Sequence, residues 1–161
     1  MTEWLALSAA LAAGWFSNRY AWWRKPVDLR HPRVLMYHMV SPHRPGAKFN
    51  GLRVPPERFE AQLDWLKRKG WTFFTVGELW AQWDELPEKS VAITFDDGYA
   101  DNLHNALPLL DKYDAKATIY IVVDRHDRDW STAKKAHHNT GELAREPKLS
   151  DDELQRLVAS G

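Results

Sequence analysis

The sequence predicts an α/β domain built on a parallel sheet, and three observations carry that prediction. From residue 33 onward, short apolar runs alternate with segments of helical spacing, the order expected of strands joined by crossover helices. Each apolar run is rich in β-branched or aromatic residues and nearly continuous, as in strands buried on both faces. Each helical segment also brings its own start and stop signals.

The predicted strands are 33–40 (RVLMYHMV), 71–76 (WTFFTV), 90–95 (SVAITF) and 117–123 (ATIYIVV). Pro55-Pro56-Glu57 opens the first helix between them. Its apolar stripe is Phe59, Leu63 and Leu66, and it closes on Lys67, Arg68, Lys69 and Gly70, with basic residues at the negative end of the helix dipole. Thr75 and Glu78 have capping-box spacing and start a second helix over Leu79, Trp80 and Trp83, with both tryptophans expected in the core. A third helix follows Gly98 with Leu103, Ala106, Leu107 and Leu110 on one face, and Pro108 should kink or interrupt it. A last helix starts at Ser150, with Glu153 three residues on, and should bury Leu154, Leu157 and Val158. Residues 124–149 are polar and read as a long loop, a length that in a compact domain signals function or disorder.

The 161 residues suffice for about one domain. With no cysteine, disulfides, thiolate metal sites and cysteine nucleophiles are excluded, so any bound metal must use His, Asp or Glu. Formal charge is zero but unevenly spread. Residues 1–53 carry eight Lys or Arg against two acids, and residues 54–161 carry fourteen against twenty. That balance argues against a nucleic-acid partner, which would call for a basic stripe. The basic front suits a membrane or polyanion instead.

Residues 1–25 form a separate segment ahead of the domain at 26–161. Positions 4–16 (WLALSAALAAGWF) carry no charge, with Trp4 at one end and Trp15, Tyr20, Trp22 and Trp23 at the other. Thirteen residues are short for a span, which needs about 20. They suit an interfacial helix with aromatic belts, and residues 4–25 are the expected membrane contact. The alternative is a helix packed on the domain. Cleavage as a signal peptide is disfavoured, since Met-Thr-Glu offers no positive start.

The sharpest local feature is Thr94-Phe95-Asp96-Asp97-Gly98-Tyr99. Two acids stand at the carboxyl end of an apolar strand, where parallel α/β folds gather their ligands. Adjacent carboxylates leaving a strand can point to different places, one to a cation and one to substrate or water. Either could equally cap the helix that follows. His38, near the carboxyl end of the first strand, is a candidate wall residue contacting substrate, with a hydrogen-bonding role in the rim as its alternative. His104 reads as surface or packing, and His137-His138, Lys134-Lys135 and the charges of 124–129 as solvated.

The run VAITFDDGYADN, the upstream VLMYHMV, the segment VPPERFEAQLDWLKRKGWTFFTVGELW and the downstream KATIYIVV together resemble the polysaccharide deacetylase family, carbohydrate esterase family four. The resemblance covers roughly residues 33–161 and implies the front part of a distorted (β/α) barrel preceded by the hydrophobic N-terminal helix. It implies a hydrolase that removes acetyl groups from an N-acetylated polysaccharide or glycan with a divalent metal, commonly zinc; with the apolar front segment, the expected location is the cell envelope. On the family pattern Asp96 is the general base and Asp97 a metal ligand. The family's second motif, His-[Ser/Thr]-x-x-His, does not occur among His31, His38, His43, His104, His126, His137 and His138. In the family that motif follows a segment like LSDDELQRLVASG, so the chain is expected to be a truncated deacetylase domain whose remaining ligands and catalytic His lie further on. Two competing readings are a non-catalytic carbohydrate-binding or regulatory relative, and a magnesium-dependent hydrolase of phosphate esters using the same acid pair.

Overall fold

The structure is a computed structural model of the chain, and it describes residues 2–21, 23–122 and 141–160. Four parallel strands form its sheet: β1 (Arg33–Tyr37), β4 (Thr72–Phe74), β5 (Ser90–Asp96) and β6 (Ala117–Tyr120). A separate parallel pair joins β2 (Met39–Val40) to β3 (Arg53–Val54). The helices are α1 (Thr2–Tyr20), α2 (Pro56–Arg68), α3 (Val76–Ala81), α4 (Leu107–Lys112) and α5 (Asp151–Ala159).

Strand β5 is the centre. Along one edge it pairs with the whole of β1, from Arg33 opposite Val91 to Tyr37 opposite Phe95. Its other edge is shared, with β4 taking Ser90 to Ala92 and β6 taking Ile93 to Asp96. Side chains alternate across the sheet, so Val91, Ile93 and Phe95 point one way, into Phe59, Leu63 and Leu66 of α2 and Leu110 of α4. Phe59 and Phe95 meet edge to face, 5.8 Å between ring centroids, and Tyr37 stacks edge-on against Phe59 at 5.1 Å. On the opposite face Ala92 packs with Phe74 and Leu79, which brings in α3.

The start signals behave as their chemistry dictates. Thr75 and Ser150 each accept a hydrogen bond from the backbone N–H three residues on, and Glu78 and Glu153 reach back to the cap N–H, completing two capping boxes. Ahead of Pro108 the winding loosens into a π-helical stretch, Asn102–Ala106, before α4 resumes with the proline in its first turn. A residue without an N–H cannot close the regular ladder, and the wider turn absorbs the mismatch.

Several expectations need correction. The run 33–40 is two strands, and Val34 and Met36 of β1 are each 59% exposed, so the sheet face they share with Ala92 and Thr94 lies open at that edge. Trp80 and Trp83 are 83% and 57% exposed, because α3 is only six residues long and seats Leu79 alone in the core. Val158 is 83% exposed while Leu154 and Leu157 are partly buried, so the apolar stripe of α5 is narrower than its spacing suggests. Within the expected loop, Glu142–Arg145 form a short 3-10 turn, and Glu146 and Leu149 are buried. Residues 123–140, with His126, Lys134, Lys135, His137, His138 and the end of the fourth predicted strand, lie outside the described residues.

Helix α1 exposes Trp4, Leu5, Leu7, Leu11, Trp15, Phe16 and Tyr20. Among the described residues no helix is long and apolar enough to cross a membrane.

Phe59→Ala should cost about 3–5 kcal/mol by urea denaturation, because three aromatic rings converge there. Trp80→Ala should stay within about 0.5 kcal/mol of wild type.

Candidate functional site

The site is built where β5 ends. Thr94 and Phe95 are buried, Asp96 closes the strand opposite Tyr120 of β6, and both Asp96 and Asp97 are half-buried. The chain then turns sharply, with Asp97 at φ +70° and Gly98 at φ +59°. Glycine enters the left-handed region freely, whereas aspartate there is strained by about 1 kcal/mol. The turn is also tight: a Cβ on Gly98 would lie 3.2 Å from Cγ2 of Ile121. The cap position of the π-helical stretch that follows is Asp101, beyond both acids. No side-chain cap bonds the N-terminus of that stretch.

Tyr99, buried at the next position, donates its hydroxyl to Oδ2 of Asp97 at 3.5 Å. Burial raises the Tyr99 phenol well above its ordinary range, with the Asp97 charge adding to the effect, so it remains a donor at any physiological pH. The Nζ of Lys148 lies 3.2 Å from the centroid of the Tyr99 ring, a cation–π contact. Residues 147–149 run antiparallel beside the turn. The Ala100 N–H donates to the Pro147 carbonyl at 2.9 Å, and the Leu149 N–H donates to the Gly98 carbonyl at 2.9 Å.

Behind the turn, the π-helical stretch grips the chain that follows β1, at His38 and at Val40 of β2. The Asn102 amide donates to the His38 carbonyl at 3.0 Å, and the Asn105 amide to the Val40 carbonyl at 2.7 Å. His38 follows Tyr37, whose partner Phe95 precedes Asp96, so His38 and Asp96 stand at the same level of the sheet. Asp101 is held above its usual carboxylate range by burial, against hydrogen bonds from the Val40 backbone and the Ser41 hydroxyl and the nearby Arg53 charge.

Of the sequence-predicted residues, the structure brings Asp96, Asp97 and the backbone of His38 to one rim. His104 stays on the surface, its Nε2 2.8 Å from Oε1 of Glu153. Tyr99, Asn102, Asn105, Arg53, Glu146 and Lys148 went unread. Glu146 and its partner Arg53 lie 93 positions apart, and nothing in a linear pattern joins them.

As a metal centre the described residues fall short. Asp97 offers one carboxylate, and no group of three His, Cys, Asp or Glu converges among the described residues. A catalytic zinc site takes three protein ligands, so this donor set does not hold the ion by itself.

Residues 83–145 match the family model described as Polysaccharide deacetylase. Over much of its length the chain is similar to polysaccharide deacetylases. YxkH of Bacillus subtilis, itself named only provisionally as a polysaccharide deacetylase, is 43% identical over 105 residues, which are 63% of this chain and 35% of YxkH. The poly-β-1,6-N-acetyl-D-glucosamine N-deacetylase of Staphylococcus aureus is 37% identical over 71 residues, 43% of this chain and 24% of that enzyme. The solved structure of IcaB from Ammonifex degensii superposes with a TM-score of 0.63 at 28% identity, covering 84% of this chain and 50% of IcaB. The chain therefore spans about a third or less of these curated relatives and half of that structure. The likeness to IcaB agrees with the α/β fold and its parallel sheet.

Half-burial of Lys148 lowers its pKa to about 8, with Asp97, Asp101 and Glu146 pulling the other way. Between that value and the ordinary 10.5 the unfolded chain holds more of the proton, so stability rises with pH across the window. Thermal denaturation should show wild type gaining stability relative to Lys148→Met from pH 8 to 10.5.

Proposed function

We propose that these residues belong to an enzyme that hydrolyses the acetamido groups of an N-acetylated polysaccharide, releasing acetate and leaving a free amine on the sugar. The observation that carries this reading is the placement of Asp96 and Asp97 at the carboxyl end of the most buried strand, level with His38. Asp96 acts as general base: its carboxylate takes a proton from the water that attacks the acetyl carbonyl. Its position on a strand buried on both faces holds that carboxylate still, so little reorganisation accompanies proton transfer. His38 lines the rim and contacts the sugar, its backbone fixed by Asn102. Tyr99 fixes the rotamer of Asp97.

A divalent metal, zinc by family resemblance, would polarise the acetyl carbonyl. Asp97 is the one ligand proposed for it here, and this donor set needs completion from residues beyond those described. The same resemblance supports a barrel in which the open face carrying Val34 and Met36 is covered. The Staphylococcus relative is named for poly-β-1,6-N-acetyl-D-glucosamine, which makes that polymer the first substrate to try.

Assayed on N-acetylated β-1,6-glucosamine oligomers with detection of new amines, the intact gene product should turn over, and Asp96→Asn should lower kcat/KM about 10²–10⁴-fold. Oligosaccharide binding with no amine release would favour the non-catalytic relative. Magnesium-dependent phosphatase activity lost in Asp96→Asn, without deacetylation, would favour the phosphate-ester reading.

The enzyme is further proposed to work at the cell envelope, with α1 as an apolar helix lying on a lipid surface. Exposed Trp4, Trp15 and Tyr20 mark its ends, and Arg19, Arg24 and Lys25 follow to meet anionic headgroups. Vesicles of phosphatidylglycerol should sediment the chain, and Trp4→Ser/Trp15→Ser should weaken that binding by about tenfold or more.

A further inference from the structure

A fully buried arginine lies away from the two carboxylates, yet it is connected to them. Arg53 sits in β3 with its side chain wholly out of solvent. Its Nη2 donates to Oε1 of Glu146 at 2.6 Å, and its Nη1 donates to the Ser41 hydroxyl at 3.1 Å. Arg44 reaches the same glutamate oxygen from the surface side, at 2.5 Å. Glu146 is itself buried, and the next three residues are the ones laid against the turn after Asp97.

We propose that Arg53 is a positioning residue of the Asp96–Asp97 turn, acting through Glu146 on the strand-like segment 147–149 that flanks Tyr99. This rests on the reading of Asp96 and Asp97 as working residues. The connection is continuous. Arg53 fixes Glu146. The two backbone bonds from Pro147 and Leu149 then bracket Tyr99, at Ala100 and Gly98. Lys148 covers the Tyr99 ring, and the Tyr99 hydroxyl reaches Asp97.

Net stability is a poor account of such a pair. Withdrawing both charges from water costs about as much as their attraction returns, and an apolar pair of similar volume often does as well or better. Here the Nε of Arg53 is also left without a hydrogen-bond partner, which adds to the cost. What a directional, charge-assisted bond supplies is registry, since it admits one placement of the segment where apolar contact would admit several. Registry is what the turn requires. Two successive residues with positive φ, one of them an aspartate, persist only where their surroundings over-determine the backbone, and the bonds at Gly98 and Ala100 provide that.

The test is amide hydrogen exchange on the full chain. Arg53→Met/Glu146→Met removes both fully buried charges together, leaving Glu142 and Arg44, whose side chains both reach solvent. Its Ala100 and Leu149 amides should exchange about tenfold faster or more, while the Ile93 amide of β5 stays within about twofold of wild type. Arg53→Lys retains the charge and should recover most of the protection at Ala100 and Leu149. Unchanged protection at those two amides in the double variant overturns the proposal, as does a uniform loss that includes Ile93, since Arg53 would then hold the fold and not the turn. Exchange needs no substrate, so wild-type chain that fails to deacetylate defeats the functional reading without altering this result. Where wild type does turn over, the double variant should lose about tenfold in kcat at little change in KM.

Discussion

Ser90 to Phe95 are buried without a break, and a strand enclosed on both faces must also have its backbone groups satisfied along both edges. β1 therefore lies along one edge for its full length, and β4 and β6 divide the other. Alternation then decides the layers. Val91, Ile93 and Phe95 take the side where α2 and α4 pack, and Ala92 and Thr94 take the side where α3 packs at one end. Asp96 is where burial relaxes, so the first charged side chain of the strand emerges at a fixed height on the rim. The placement of the acid pair thus follows from the hydrophobicity of the strand that precedes it.

Much of this was legible in order along the chain. The period-two and period-3.6 patterns located β5, α2 and the capping boxes at Thr75 and Ser150, because those signals depend on residues within four positions of one another. The acid pair was legible for the same reason. The misreadings share a different cause. Trp80, Trp83 and Val158 are apolar residues at acceptable helical positions, but whether such a position is buried depends on how far the neighbouring elements extend, and α3 stops after six residues. Val34 and Met36 look like residues of a two-faced strand and lie on a face with nothing described above it.

Residues 141–149 show the limit most clearly. Their polar composition suggests solvent, and the deciding partner of Glu146 is supplied by β3, far away in sequence. A buried charge pair is invisible to periodicity, since either member alone reads as a surface residue. The two asparagines that hold the carbonyls of His38 and Val40 are similar. Asn102 and Asn105 look like surface positions of a helix until its winding widens before Pro108 and brings both amides against His38 and β2.

The left-handed conformation of Asp97 bears on how this molecule would respond to selection for robustness. Glycine at that position would relieve the backbone and, judged by resistance to unfolding alone, would be favoured over aspartate. It would also remove the carboxylate. Directed evolution scored only on heat tolerance would therefore tend to erase this acid early, and libraries built to harden the protein should hold position 97 fixed.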